Sequence, residues 1–282
     1  MSKVALVTDS TAYIPKDLVE EYHISVAPQV LIWGQETFRD GVDITPEAFY
    51  TRLKKATIMP TTSQVNIASF EQIFQQLLDE SCDILAILLS NHLSKTIDSA
   101  LQAREMFPSA PIEIVDSLTT AMAMGFQVLS VARLAQQGAN LAECKALAEK
   151  ATAYTGVVFA VDTLEFLHRG GRIGGGQRFL GSALNIKPIL EVRHGRVEAV
   201  ERVRTRKKSL IRLVEMIGER IAGRQPVRLA ALHANAANEA FEMLEMAKER
   251  YHPVETVFSE VSPVVGTHAG PGTLGLVYMA GM

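Results

Sequence analysis

Short apolar runs recur through the first half of the chain, and each ends in a cluster of hydroxyl, amide or acidic side chains. Residues 4–7 lead into Thr8-Asp9-Ser10-Thr11, residues 84–89 into Ser90-Asn91-His92-Leu93-Ser94-Lys95-Thr96, and residues 112–115 into Asp116-Ser117. Runs without polar alternation are buried on both faces, as strands of a parallel sheet are. Helical periodicity fills the intervals. It is clearest at Ile67, Phe70, Ile73, Phe74 and Leu77, and again over residues 121–137, which Gly138 closes before Asn140 opens the next helix. Thr45 followed by Pro46 marks a further helix start. The pattern predicts a mostly parallel sheet flanked by helices over residues 1–154.

From Thr155 the character changes. Residues 155–161 form an apolar strand, residues 187–192 and 197–203 flank a His194-Gly195 turn as an antiparallel hairpin, and residues 227–233 and 254–259 enclose a helix before a last strand at 274–279. This predicts a second α/β domain, residues 155–282, with a mixed sheet, and a ligand held between the two domains. Polar chemistry gathers where strands hand over to helices, the edge at which open α/β sheets bind ligands.

The densest such stretch is residues 267–273, where His268 adjoins Gly270-Pro271-Gly272 and two threonines flank them. A fixed proline angle between two glycines can present peptide N–H groups and an imidazole to a ligand, or simply turn the chain. Thr61, Thr62 and Ser63 precede a helix that needs only one hydroxyl as its cap, and Ser94 stands before another helix whose first amides attract anions. Asp9, Ser10 and Thr11 read as caps for the helix announced by Pro15, and no second aspartate supports an aspartyl-phosphate mechanism. Asp40 and Asp43 read as turn chemistry, since the remaining calcium ligands are missing. Gly174-Gly175-Gly176 has no following Lys-Ser/Thr, which argues against a phosphate loop.

Composition narrows the classes. A net charge of -3 and a pI near 6.2 exclude a general nucleic-acid binder. Cys82 and Cys144 lie on apolar segments without a histidine cluster, so buried thiols are expected, with no metal site and no cofactor. No apolar run reaches the length of a membrane span, and the first residues form a strand rather than a signal peptide, which points to the cytoplasm.

Taken in order, Val7 to Thr11, Asp40 to Ile44, Thr62-Ser63-Gln64, Leu89 to Thr96, Asp116-Ser117, Leu164 to Ile173, Lys187-Pro188-Ile189, Arg202 to Thr205 and His268 to Gly272 resemble the DegV family of bacterial two-domain fatty-acid-binding proteins. The resemblance implies a long-chain fatty acid in an apolar tunnel between the domains. Its carboxylate would be held by Thr62, Ser94, Arg172 and His268, with Asp9, Ser10, Ser63, Thr96, Gly270 and Gly272 in support. It also implies delivery of the acid to a fatty acid kinase catalytic subunit for acyl-phosphate formation, and it leaves room for transient membrane contact. The chain departs from the family pattern where His92 and Lys95 replace two glycines, either narrowing the approach to the carboxylate or adding a charge beside it.

The physics of the residues agrees with a carrier. Burying a methylene is worth about 0.8 kcal/mol, so a long chain needs only an apolar tunnel and hydrogen bonds for its head. The competing reading is a serine-type acyl hydrolase using Ser94 or Ser10 with His268; it has no GxSxG elbow. The basic run Arg202, Arg204, Arg206 and Lys207 is either a solvated face or a docking surface for an acidic kinase partner, since cations at a helix start oppose the helix dipole.

Overall fold

The structure, a computed structural model, describes residues 3–179 and 186–282. The first half runs β1 (Val4–Asp9), a 3-10 turn (Ser10–Ala12), α1 (Lys16–Glu21), β2 (Ser25–Ala27), β3 (Val30–Trp33), β4 (Glu36–Arg39), α2 (Pro46–Leu53), β5 (Thr61–Ser63), α3 (Ile67–Asp79), β6 (Asp83–Leu88), α4 (Thr96–Glu105), β7 (Ile112–Asp116), α5 (Ala121–Gln136) and α6 (Leu141–Ala151). The second continues with β8 (Thr155–Ala160), α7 (Glu165–Arg169), β9 (Lys187–Arg193), β10 (Arg196–Val203), α8 (Arg206–Ile221), β11 (Val227–His233), α9 (Ala237–Tyr251), β12 (Glu255–Glu260), α10 (Pro263–Ala269) and β13 (Leu274–Ala280).

Strands β2-β1-β6-β7 make a parallel sheet, and β10-β9-β8-β13-β11-β12 a mixed one in which only β11 and β12 run parallel. Strand β1 explains the unbroken apolar run that announced it. Ala5 and Val7 pack with Phe70 and Phe74 of α3 on one face, while Val4 and Leu6 pack with Met122 and Phe126 of α5 on the other. Helix α5 is buried over most of its length because it lies between the two sheets, touching β1 and β6 on one side and β8 and β13 on the other. The largest apolar cluster accordingly draws on both halves of the chain.

Residues 24–33 divide between β2 of the parallel sheet and β3 of a small antiparallel sheet ordered β4-β3-β5. Two local expectations are corrected. Thr61, Thr62 and Ser63 are strand β5 rather than a helix cap, and Asn66 caps α3 by accepting from the Ser69 amide at 2.8 Å. A three-residue strand shows too little alternation to be recognised. Asp9 caps the 3-10 turn rather than α1, whose first turn has no side-chain cap. Elsewhere the caps fall as expected: Thr45 serves α2, and Asn140 with Glu143 forms a reciprocal box on α6.

Helix α10 follows β12 in the chain but is moored largely by the first half. The Val264 amide donates to Asp40 at 3.2 Å, Tyr13 donates to Ser262 at 3.3 Å, and the Tyr50 hydroxyl donates to the Val261 carbonyl at 3.1 Å. These contacts close the seam along which the functional site lies.

Candidate functional site

A mainly apolar cavity runs along this seam, walled by Val157 and Phe159 of β8, Val192 of β9, Val197 of β10, Leu232 of β11 and Val264 of α10. The cavity measures about 140 Å³, room for a ligand rather than for a lone ordered water. At one end it is bordered by Thr62, Arg172 and His268, which also border a surface vestibule beside Pro60 and Arg169. At the other end Val157 and Val192 separate it from a second cavity.

The polar end is built from both halves. Strand β5 places Thr62, α10 places His268, and the Thr62 hydroxyl lies 2.7 Å from His268 Nε2. Burial, and then the neighbouring Arg172 guanidinium, push the imidazole pKa down to about 4, so His268 is neutral at pH 7. Its Nδ1 is buried and unbonded, facing Gly170, where an added Cβ would stand 2.0 Å from that nitrogen. Hydrogen at Cα is therefore a condition for the ring's position. Arg172 donates from Nε to the Leu93 carbonyl at 3.0 Å and from a terminal nitrogen to the Gly170 carbonyl at 2.7 Å. Neither neutralises it, and among the described residues it has no ion pair. Ser94, at the same end, lies 3.0 Å from the Thr96 hydroxyl. A cation, a neutral imidazole and two hydroxyls thus converge on the mouth of an apolar tunnel, an arrangement that can hold an anionic head group with a long apolar tail.

Residues 3–281 match the family described as uncharacterised protein, DegV family. The chain belongs to the DegV family. A DegV domain-containing protein of Streptomyces coelicolor is 38% identical over 276 residues, 97% of each chain. Among solved structures, a DegV family protein from Thermus thermophilus described as fatty acid binding superposes with a TM-score of 0.93 at 33% identity, covering 99% of both chains. DegV from Bacillus subtilis, described as a fatty acid binding protein, gives 0.90 at 34% identity over 99% of this chain and 100% of its own.

Of the residues that the DegV resemblance singled out, Thr62, Ser63, Ser94, Arg172 and His268 line the cavity, and the others stand behind it. Asp9 is fully buried and holds the turn together, accepting from the Thr11 amide and hydroxyl and from the Leu89 amide at 2.7–3.0 Å. Thr96 accepts from the Gln29 side chain at 2.9 Å, and Ser10 donates to Asp40 at 2.7 Å. The Gly270 and Gly272 amides do not face the cavity; they donate to the Gly266 and Ala234 carbonyls at 2.8 Å. Lys95 is exposed and turns to Asp98 at 3.5 Å, so it adds no charge at the mouth, and His92 packs toward the Gly195 turn.

Two residues carry more than sequence reasoning gave them. Asp40, read as turn chemistry, is buried and bonded to Ser10 and to the Val264 amide, and burial pushes its pKa up to about 6. Its signal was the Asp40-Gly41-Val42-Asp43-Ile44 stretch, in which Asp43 is the aspartate whose side chain makes the local turn contact, with Arg39. Arg206, expected on a docking face, is drawn inward instead. It donates to both Glu239 oxygens at 2.9 Å and to the Gly272 carbonyl, and lies 3.5 Å from Asp162. These acceptors offset the unfavourable helix dipole at the start of α8. Arg202, Arg204 and Lys207 are exposed, with Arg202 stacked 5.1 Å from the Phe179 ring.

Proposed function

We propose that this DegV-family chain binds one long-chain fatty acid, tail in the seam cavity and carboxylate among Thr62, Ser94, Arg172 and His268, and presents it to a kinase catalytic subunit that forms the acyl phosphate. Residues 1–154 and 155–282 serve as the two domains that enclose it. The observation that carries the reading is Arg172, an uncompensated guanidinium beside a neutral, desolvated imidazole at the mouth of an apolar tunnel. A carboxylate arriving there meets the missing countercharge, while its methylenes replace empty apolar space at about 0.8 kcal/mol each. The fatty-acid binding described for the Thermus and Bacillus relatives supports the same ligand class. Hydrolysis is less well served: His268 Nε2 meets Thr62, Ser94 meets Thr96 and Ser10 meets Asp40, so neither serine is bonded to the imidazole.

Mass spectrometry of small molecules released from denatured protein is expected to find a long-chain fatty acid near one per chain. Delipidation is expected to lower the melting temperature, and re-addition at a hundredfold excess over Kd to restore about 2.7 kcal/mol. Preparations free of acyl chains that show no thermal shift on adding one would sink the binding reading.

Presentation to a kinase has its own test. Charge reversal at Arg204 and Lys207, leaving Arg206 in its internal network, is expected to keep fatty-acid content unchanged while slowing phosphorylation of the bound acid, with the defect shrinking as salt rises. Equal rates at low salt would assign these residues to an ordinary solvated face.

A further inference from the structure

The tunnel holds one polar group that the head-group chemistry does not use. Thr120 lines it, and the Thr120 hydroxyl is fully buried with no hydrogen-bond partner. Other buried polar groups along the wall are occupied: Thr11 donates to Asp9, Tyr13 to Ser262, Gln29 to Thr96, and Thr273 to the Ala269 carbonyl, while Ser63 and Gln64 are exposed. Thr120 is also the residue preceding the first turn of α5, where a threonine ordinarily turns its hydroxyl onto an amide of that turn. Here it makes no such bond, and the hydroxyl is left at the cavity wall. The backbone on either side is unusual as well, since Leu118 and Ala121 both adopt left-handed conformations, at φ 53° and 58°. Such conformations in residues other than glycine cluster at ligand sites.

Its depth along the tunnel follows from its neighbours. Thr119, together with Val157 and Val192, lines the second cavity behind the tunnel's inner end, whereas Thr62, Arg172 and His268 border the outer vestibule. Thr120 therefore stands on the side of the tunnel that adjoins the second cavity, away from the vestibule.

Resting on the acyl-binding reading, we propose that Thr120 forms a second polar subsite, which receives an oxygen carried near the tail of the bound chain. Hydroxylated long-chain fatty acids then belong to the ligand class of this protein beside unsubstituted ones. In a wholly apolar tunnel a tail hydroxyl would lose its water without replacement and be rejected. Thr120 can both donate to it and accept from it.

The test uses the delipidated full chain and titrates hexadecanoic acid, omega-hydroxyhexadecanoic acid and a hydroxyoctadecanoic acid substituted in its distal half. The parent is expected to bind at least one hydroxylated chain within about threefold of the unsubstituted one. Thr120→Val, which keeps the shape and removes the hydroxyl, is expected to weaken that chain about tenfold and leave hexadecanoic acid unchanged. Thr120→Ser, with the hydroxyl kept, is expected to retain the parent's preference, which separates loss of the group from damage to the α5 start. Rejection of every hydroxylated chain by a parent that binds hexadecanoic acid overturns the subsite alone, as does an unchanged ratio in Thr120→Val. Failure of the parent to bind any of the acids overturns the acyl reading itself and the subsite with it.

Discussion

Gly170→Ala is expected to lower affinity for a long-chain fatty acid ten- to a hundredfold while leaving the fold intact. The methyl group would stand 2.0 Å from His268 Nδ1, so the imidazole must leave the position from which Nε2 reaches Thr62. Backbone strain contributes nothing, because Gly170 sits at φ -75°, where alanine is at ease. The size follows from losing a hydrogen bond to a charged group, about 1.5–3 kcal/mol. Calorimetric titration of the delipidated variant checks it, with His268→Ala as the comparison. Since both substitutions act on one contact, the double variant is expected to bind no worse than the weaker single one. Parent-like affinity in Gly170→Ala would show that the imidazole does not hold the head group.

Asp40 and His268 are expected to give the apo protein two opposed acid responses that substitution can separate. His268 titrates near pH 4 when folded and about 6.5 when unfolded, so the unfolded chain binds the extra proton between these values and stability falls as pH drops through that window. Asp40 titrates near pH 6 when folded against 3.8 for its ordinary value. The folded state holds that proton first, so its contribution rises as pH drops from about 6 to about 4. Each effect amounts to about 3 kcal/mol at roughly 1.4 kcal/mol per pH unit, and in the parent they largely cancel. Relative to the parent, His268→Gln is expected to gain stability on acidification from pH 6.5 to 4, and Asp40→Asn to lose it. Denaturant unfolding at several pH values reads both slopes; parallel pH profiles for the parent and both variants would refute the assignment.

The sheet strands that bury both faces were legible in the sequence, because β1 and β6 are written as apolar runs and nothing else in the chain competes for them. The β9–β10 hairpin was legible for a different reason: His194 and Gly195 supply the two positive φ angles, 49° and 77°, that a tight turn needs. Strand β5 was not, since its pairing with β3 depends on a partner thirty residues away in sequence rather than on its own three side chains. The same limit applies to the site. Thr62 and His268 are 206 positions apart, and only the resemblance to a family put them together in advance. Asp40 and Arg206 carried local explanations, a turn and a basic patch, which the tertiary contacts with Val264 and Glu239 displaced.

Strand β13 comes after every other strand of the mixed sheet in sequence, yet it lies at the centre, paired with β8 on one side and β11 on the other. Without β13 the remaining strands of the sheet fall into two groups, β10-β9-β8 and β11-β12, whose facing edges have open backbone donors and acceptors. Gly275 and Thr273, which complete the cavity wall, arrive with the strand that zips these groups together. Until β13 is in place the cavity therefore lacks these two residues of its wall. Until then the two open edges are the surfaces most in need of shielding from other chains.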